Sequence, residues 1–468
     1  MQLGKSFPLV RVTLRWACAG AVLVSASSCS GSSTSAPQDT DQTGTTPFPP
    51  PKADTQKVDP SEIFKNKERR AYFAPKYPEL AFVECSNGLP QSGTWRGYPH
   101  LADFTADGRA DLVASNREED GYSAWAAAPG CKWLLSNDGP AKDVGGLPRD
   151  MQYGPSRSGD VNGDGRLDLL LSAHSDALRV YLNVPASGGE GTQDGQIHWM
   201  RSESPIENPF LMLDIAVGDL DGDGHLDVAG VGHFKGGISV YLGDGKGGMR
   251  RLPESEKLLD VRAFGQRIEI ADLDGDGVGD IVATTNRGLR AWITKRGTPL
   301  QWEERSAGLP NPNIGNSITS LAVGRFREGR PAEIATGLVP DPMQKPETLD
   351  NGGVYGWNPE GKTWEHVESG LPRAEVYREV AAGDFNGDGK LDLLVLTLEN
   401  GAVFYLGDGK GGFTPKGRLS GNHGVGRVAV GDIDGDRLPD VAISVPATKD
   451  QPDKGGVRAY LNRPAIWQ

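Results

Sequence analysis

The chain has 468 residues, with 49 Lys and Arg against 62 Asp and Glu and a formal net charge of −13. That balance argues against nucleic acid and against an anionic membrane surface as partners. Ordinary domain sizes would divide such a length into two or three units, a prior that a closed array of repeats overrides.

The first 28 residues read as an export signal. Lys5, Arg11 and Arg15 precede a short apolar core from Trp16 to Val24, and small residues then lead to Cys29. The core is too short to span a bilayer as a permanent anchor. Ala26-Ser27-Ser28-Cys29 resembles a bacterial lipobox, whose cysteine is lipidated and becomes the mature N-terminus, although Ala26 stands where leucine is usual. The expected location is therefore the cell envelope, lipid-anchored outside the cytoplasmic membrane at the outer membrane or cell surface, with plain secretion as the alternative. Residues 29–60 are rich in Ser, Thr, Pro, Gln and Gly and bury too little to offset their ordering entropy, so they read as a tether. Asp59-Pro60-Ser61-Glu62 marks a helix start and predicts a short helix over Ser61 to Arg70 within a lead-in of 61–74.

From residue 75 onward one pattern recurs. Asp219, Asp221, Asp223 and Asp227 alternate along a glycine-containing loop that opens into the apolar run Val228-Ala229. Carboxylates this close repel one another unless a hard cation sits among them, and oxygen donors of this kind suit calcium. Asp160, Asn162, Asp164 and Asp168 repeat the pattern, as do Asp272, Asp274, Asp276 and Asp280, then Asp384, Asn386, Asp388 and Asp392. Asp432, Asp434, Asp436 and Asp440 form a fifth loop, in which Arg437 replaces a glycine. The stretch from Asp103 to Asp111 keeps most ligands, whereas Gly324 to Ile334 keeps only the frame and places Arg325 and Arg327 where carboxylates belong. Those arginines read either as drift or as guanidinium groups replacing the cation beside Glu328 or Glu333.

These seven units recur at a period of roughly 50 residues and fill the body of the chain. Each has an apolar strand before the loop, such as Asp214 to Val217, and a second strand after it. A third strand such as Ile238 to Leu242 follows, then a fourth carrying an aromatic, as at Trp199, Trp302 and Trp364. Gly-Leu-Pro turns at Gly88, Gly146, Gly308 and Gly370 lead to the next unit. Four short strands per unit make the blade of a β-propeller, and seven units predict an all-β, seven-bladed ring over 75–468. The last unit stops after its third strand, and an orphan fourth-type strand, Leu80 to Cys85, precedes the first. That strand is expected to complete the last blade and so satisfy an open sheet edge.

The Asp-x-Asp-x-Asp-Gly-x-x-Asp loops, with Val-Tyr-Leu-Gly-Asp-Gly after them, resemble FG-GAP or VCBS repeats, a family that includes the seven-bladed propeller of integrin α subunits. The resemblance implies about five calcium sites, each held by side chains at loop positions one, three, five and nine. It adds the backbone carbonyl at position seven, here Arg166, His225, Val278, Lys390 and Leu438. It also implies noncatalytic binding of an extracellular or envelope protein or glycan.

Competing readings are weaker. An EF-hand needs Glu at position twelve, where Leu171, Gly230, Ala283, Val395 and Ile443 stand. Serine-elbow, zinc-protease, phosphate-loop and Cys-x-x-Cys signatures are missing from the sequence, so no catalytic residue is assigned. The rival function is a polysaccharide lyase or hydrolase working at the propeller mouth. Cys85 and Cys131 would pin the closure if bridged, and otherwise are two buried thiols. Trp199, Trp302 and Trp364 share one repeat position, which assigns them to packing between blades, whereas Trp125 lies in an apparent insertion, Asn116 to Gly130. The long segments Asn116–Gly130, Leu338–Gly353 and Ser444–Gly455 read as second-to-third connections on the face opposite the acidic loops. Length variation on one face marks a binding side, expected around Glu118, Asp120, Tyr122, Trp125 and Met343.

Overall fold

The computed structural model describes residues 76–467, apart from 96, 117–120, 137–145, 150, 152–153, 174–175, 186–196, 205, 207–210, 233–236, 259–264, 298, 312–316, 340–351, 373–374, 398–399, 422–425 and 448–454. The expected signal, Cys29, the tether and the Ser61–Arg70 helix lie outside the described residues, as do Glu118, Asp120 and Met343.

Seven four-stranded antiparallel sheets stand around an axis. A two-residue strand, β1 (Val83–Glu84), comes first in the chain but belongs to the last blade. Blade 1 is β2 (His100–Ala102), β3 (Asp111–Asn116), β4 (Gly121–Ala128) and β5 (Lys132–Leu135). Blade 2 is β6 (Ser156–Gly159), β7 (Asp168–Ala173), β8 (Asp176–Val184) and β9 (His198–Arg201). Blade 3 is β10 (Met212–Gly218), β11 (Asp227–Gly232), β12 (Ile238–Gly243) and β13 (Met249–Leu252). Blade 4 is β14 (Gly265–Ala271), β15 (Asp280–Thr285), β16 (Gly288–Lys295) and β17 (Gln301–Glu304). Blade 5 is β18 (Ser317–Gly324), β19 (Glu333–Val339), β20 (Gly352–Asn358) and β21 (Thr363–His366). Blade 6 is β22 (Tyr377–Gly383), β23 (Asp392–Thr397), β24 (Gly401–Gly407) and β25 (Phe413–Arg418). Blade 7 is β26 (Arg427–Gly431), β27 (Asp440–Val445) and β28 (Gly456–Leu461), with β1 as its outer strand.

No central core holds the ring. Its apolar residues form seven clusters, each shared by two neighbouring blades: Leu169 and Trp199 of blade 2 pack with Val113 and Tyr122 of blade 1, and Ile281 and Trp292 of blade 4 pack with Ala229 and Val240 of blade 3. A blade is thus buried on both faces, and its second strand is a continuous apolar run without alternation.

One column settles the status of Trp125. The first apolar residue of each second strand faces an aromatic on the third: Leu112 faces Trp125, Leu169 Tyr181, Val228 Tyr241, Ile281 Trp292, Ile334 Tyr355, Leu393 Tyr405 and Val441 Tyr460. Trp125 therefore fills a repeat position, is buried, and packs on Trp95 at 5.6 Å. Tyr122 is buried as well, with its hydroxyl donating to the carbonyls of Ser172 and Pro155 in blade 2. Neither side chain can meet a ligand, which corrects their assignment to a binding face. The apparent insertion is mostly strand β4, and only residues 117–120 connect it to β3.

The fourth-strand aromatics pack between blades. The Trp364 indole donates to Arg305 O of blade 4 at 2.7 Å, and Trp199 meets Phe104 of blade 1 at 5.2 Å. Trp133, which the sequence reading passed over, holds the same place in blade 1 and donates to Cys85 O at 2.6 Å. Gly88, Gly308 and Gly370 lie against these strands: a Cβ at Gly308 would sit 2.1 Å from Trp364 O, and its φ is +86°. The Gly-Leu-Pro turn is therefore a docking surface for the next blade as well as a turn.

The ring closes as expected. Val83 pairs with Leu461 and Glu84 with Tyr460, while Cys85 N donates to Ala459 O at 2.7 Å. The segment before β1 straps blade 6 as well, with Leu80 N donating to Arg418 O and Phe82 stacked on Phe404 at 4.8 Å. Cys85 is bonded to Cys131 of blade 1 across a sequence separation of 46. Cross-linking a loop of that size lowers the entropy of the unfolded chain enough to stabilise the fold by about 4 kcal/mol. Cys131→Ser should lose that amount, measured as a lower denaturant midpoint, and reduction of the parent protein should reproduce the loss.

Candidate metal centres and the axial charge cluster

The acidic loops are all first-to-second connections, so they share one face of the ring. Their frame is built by two aspartates. The first residue of each loop gathers backbone donors: Asp160 accepts from Gly163 N and Asp164 N on Oδ1 and from Gly165 N on Oδ2, and Asp272 accepts from Gly275, Asp276 and Gly277 in the same way. Position nine is fully buried and ties the loop to the second and third strands. In blade 3, Asp227 accepts from Leu220 N at 2.8 Å and from Gly243 N, at the end of β12, at 2.9 Å. Asp168, Asp280, Asp392 and Asp440 do the same, and so does Asp111 of the partly decayed first loop.

Burial pushes the carboxyl of Asp227 up to about 7, against the two N–H groups that lower it, and the charges of Asp221 and Asp219 raise it further. Asp280 and Asp440 are likewise held at about 7, and Asp168 and Asp392 at about 6. A cation among these oxygens would relieve both the burial and the mutual repulsion.

Three loops bring three carboxylates together. Oxygens of Asp219, Asp221 and Asp227, of Asp272, Asp274 and Asp276, and of Asp432, Asp434 and Asp440 lie within 4.8 Å of one another. The loops at Asp160 and Asp384 carry Asn162 and Asn386 at position three. The donor sets fit a hard cation on a further observation. Asp274 Oδ1 and Asp434 Oδ1 are buried with no hydrogen-bond partner, while their outer oxygens meet Arg305 at 3.2 Å and Arg463 at 2.6 Å. An unpaired buried carboxylate oxygen is costly, and an ion would satisfy it.

The loops also clasp neighbours, which the repeat pattern alone did not reveal. Asp219 O accepts from Gly279 N of blade 4, Asp272 O from Ala332 N of blade 5, and Asp432 O from Ala110 N of blade 1 across the closure. In blade 5 the guanidinium reading holds: Arg327 Nε donates to Glu333 Oε1 at 2.6 Å, and its backbone N–H donates to Oε2 at 3.0 Å. Glu333 takes the position-nine place and is buried, so a side-chain cation stands where the other loops offer carboxylates.

A second polar site lies on the axis. The residue five before each loop's first position is Tyr98, Pro155, Asp214, Arg267, Ser320, Glu379 or Arg427 in blades 1 to 7. They belong to the innermost strands or lie just before them, and several meet across the ring. Arg267 pairs with Glu379 two blades away and lies 3.6 Å from Asp214. Arg427 meets Glu379 at 3.2 Å, and Arg157 meets Asp214 at 3.0 Å and Glu269 at 3.6 Å. Tyr98 carries both Arg267, at 4.2 Å, and Arg427, at 4.7 Å, over its ring. His100 donates to or accepts from Ser158 Oγ at 2.8 Å, and burial, aided by Arg157, pulls its pKa down to about 3, so it stays neutral.

A family model described as an FG-GAP-like repeat matches residues 160–230, 219–283 and 384–443. Integrin alpha-4 of Xenopus laevis is 31% identical over 157 residues, which cover 30% of this chain and 15% of that protein. The chain thus spans well under two thirds of that relative. Among solved structures, BBS1N in complex with ARL6DN, soaked with mercury, is similar with a TM-score of 0.49 at 10% identity over 83% of this chain and 99% of that one. The extracellular domain of BT4673 from B. thetaiotaomicron is similar with a TM-score of 0.42 at 12% identity, covering 80% of this chain and 40% of that one.

Proposed function

Because the chain carries FG-GAP-like repeats closed into a seven-bladed ring, we propose that it is a calcium-stabilised, noncatalytic recognition module that binds a protein or glycan outside the cytoplasmic membrane. The observation that carries the calcium part is the set of loops whose buried position-nine aspartates gather on one face, with an unpaired inward oxygen at Asp274 and at Asp434. Asp160, Asn162, Asp164 and Asp168, with their counterparts in blades 3, 4, 6 and 7, would hold the ions together with the position-seven carbonyls. Bound calcium supplies positive charge that lets these carboxylates ionise together, and the loop carbonyls carry that rigidity into adjacent blades. The N-terminal signal and Cys29 support an exported, lipid-anchored protein.

Partner docking belongs on the opposite face. The end of β19, the start of β20, the end of β27 and the start of β28 lie there, as do the fourth-to-first turns. The end of β8 and the start of β9 lie on the acidic-loop face, so the sequence between them, 185–197, is the natural control. Shortening 340–351 and 446–455 should abolish capture of a partner from envelope extract or on a glycan array, with calcium content unchanged. Retained capture after that change, with loss after shortening 185–197, would reverse the face.

The enzyme reading draws on Tyr98, His100, Asp214, Glu269 and Glu379 near the axis. Arginines answer its three carboxylates and His100 is held neutral, which favours binding at the axis, while burial raises the Glu269 carboxyl and makes it the one of these groups suited to a general acid.

A further inference from the structure

Among the described residues, the axial cluster holds more positive than negative charge. Asp214 serves Arg157 and Arg267, Glu269 serves Arg157, and Glu379 serves Arg267 and Arg427. Three carboxylates thus answer three guanidinium groups. Arg378 is a fourth, and it makes no ion pair with any described residue. It is half-buried and stands at a register shift between Tyr377 and Glu379, as the extra residue of a bulge, a place where a strand re-aims a side chain. Strand β22 runs from Arg378 toward the acidic loop at Asp384, so Arg378 sits at the opposite end of the axis.

Arg427 Nη1 reaches the Arg378 carbonyl at 3.5 Å, and burial together with the Arg427 charge pulls the Arg378 pKa down, against the opposing effects of Tyr98 and Glu379. A guanidinium cannot shed its proton near neutral pH, so a partly desolvated one that makes no ion pair with a described residue is suited to take an anion from outside. Arg427 commits Nη1 to Glu379 and to the Arg378 carbonyl, and Tyr98 holds its plane. A planar guanidinium fork matches the spacing of carboxylate and sulfate oxygens.

We propose that Arg378 and Arg427, beside Tyr98 at the axial mouth opposite the acidic loops, form a binding site for an oxyanion group, a carboxylate or a sulfate. The group enters from the mouth and lies against Arg378, while the paired arginines below close the axis beneath it. The site shares the face proposed for the partner but does not rest on that reading. Loss of partner capture with oxyanion binding intact would fell the face assignment and leave this site standing.

The test uses the full chain, with sulfate and glucuronate as probes and chloride holding ionic strength constant. Calorimetry should show saturable binding of at least one probe, and that probe should raise the melting temperature. Arg378→Gln should abolish both effects. Without probe it should melt above the parent, because the surplus charge beside Arg427 is gone. Arg378→Lys should bind more weakly, since a point charge replaces the fork. Tighter binding of glucuronate would identify a carboxylate source such as an acidic sugar, and tighter binding of sulfate a sulfate source. Absence of saturable binding for both probes would overturn the proposal. So would unchanged binding in an Arg378→Gln protein that keeps its calcium content and cooperative melt.

Discussion

Removal of calcium with excess EGTA is expected to lower the melting temperature by on the order of 10 °C. A ligand at tenfold excess over its dissociation constant stabilises the fold by about 1.4 kcal/mol per site, so five loops contribute about 7 kcal/mol. For a ring of this size that amount corresponds to the stated shift. The pH dependence should change sign with the metal. Without calcium, burial raises the position-nine carboxyls to about 6 or 7, above their unfolded values. The folded state then binds more protons than the unfolded state, so stability is full below about pH 4 and is lost as pH rises through 6 to 7. With calcium, ionised carboxylates are required, so the gain on adding metal should be larger at pH 8 than at pH 5. Melting curves in EGTA and in calcium at both values check this. A calcium-independent melt, with metal analysis confirming removal, would exclude structural ions.

The parts legible in the sequence are those whose physics is local. A nine-residue loop must supply its own ligands, so its pattern survives in each copy, and the blade count follows from the copies. The closing strand was legible because Leu80 to Pro90 repeats the Trp364-to-Pro372 stretch. Strand β4 was not, because a strand buried on both faces loses the alternation that marks a strand, and Tyr122 to Ala128 is mostly small residues around two aromatics. Aligning the repeats would have exposed it, since Trp125 falls in the same column as Tyr181 and Tyr241.

The axial cluster was hidden for a different reason. Asp214, Arg267 and Glu379 each stand third in a separate inner strand and Arg427 opens another, places where a charged residue reads as a solvated strand end. Only closure of the ring brings blades 4 and 6 within reach of one ion pair. The contacts between loops of adjacent blades have the same origin. They run through backbone groups, such as Asp219 O and Gly279 N, which leave no trace in residue identity.

Two substitutions in one loop separate the frame from the ion. Asp227→Ala should destabilise blade 3 by about 5 kcal/mol. Each hydrogen bond to an ionised group is worth about 1.5 to 3 kcal/mol, and Leu220 N and Gly243 N would both be left buried without an acceptor. This loss should persist in EGTA, because the two N–H groups need the carboxylate whether or not a cation is present. Asp221→Ala removes a carboxylate of the same loop that is partly exposed and accepts only the Asp223 N–H, at 3.1 Å. Its cost should be confined to the one ion it helps to hold, about 1 to 2 kcal/mol in calcium, and should nearly vanish in EGTA. The check is a pair of denaturation curves for each variant, with and without chelator. Equal behaviour of the two variants under both conditions would mean that position nine is merely another ligand and that the blade does not depend on it.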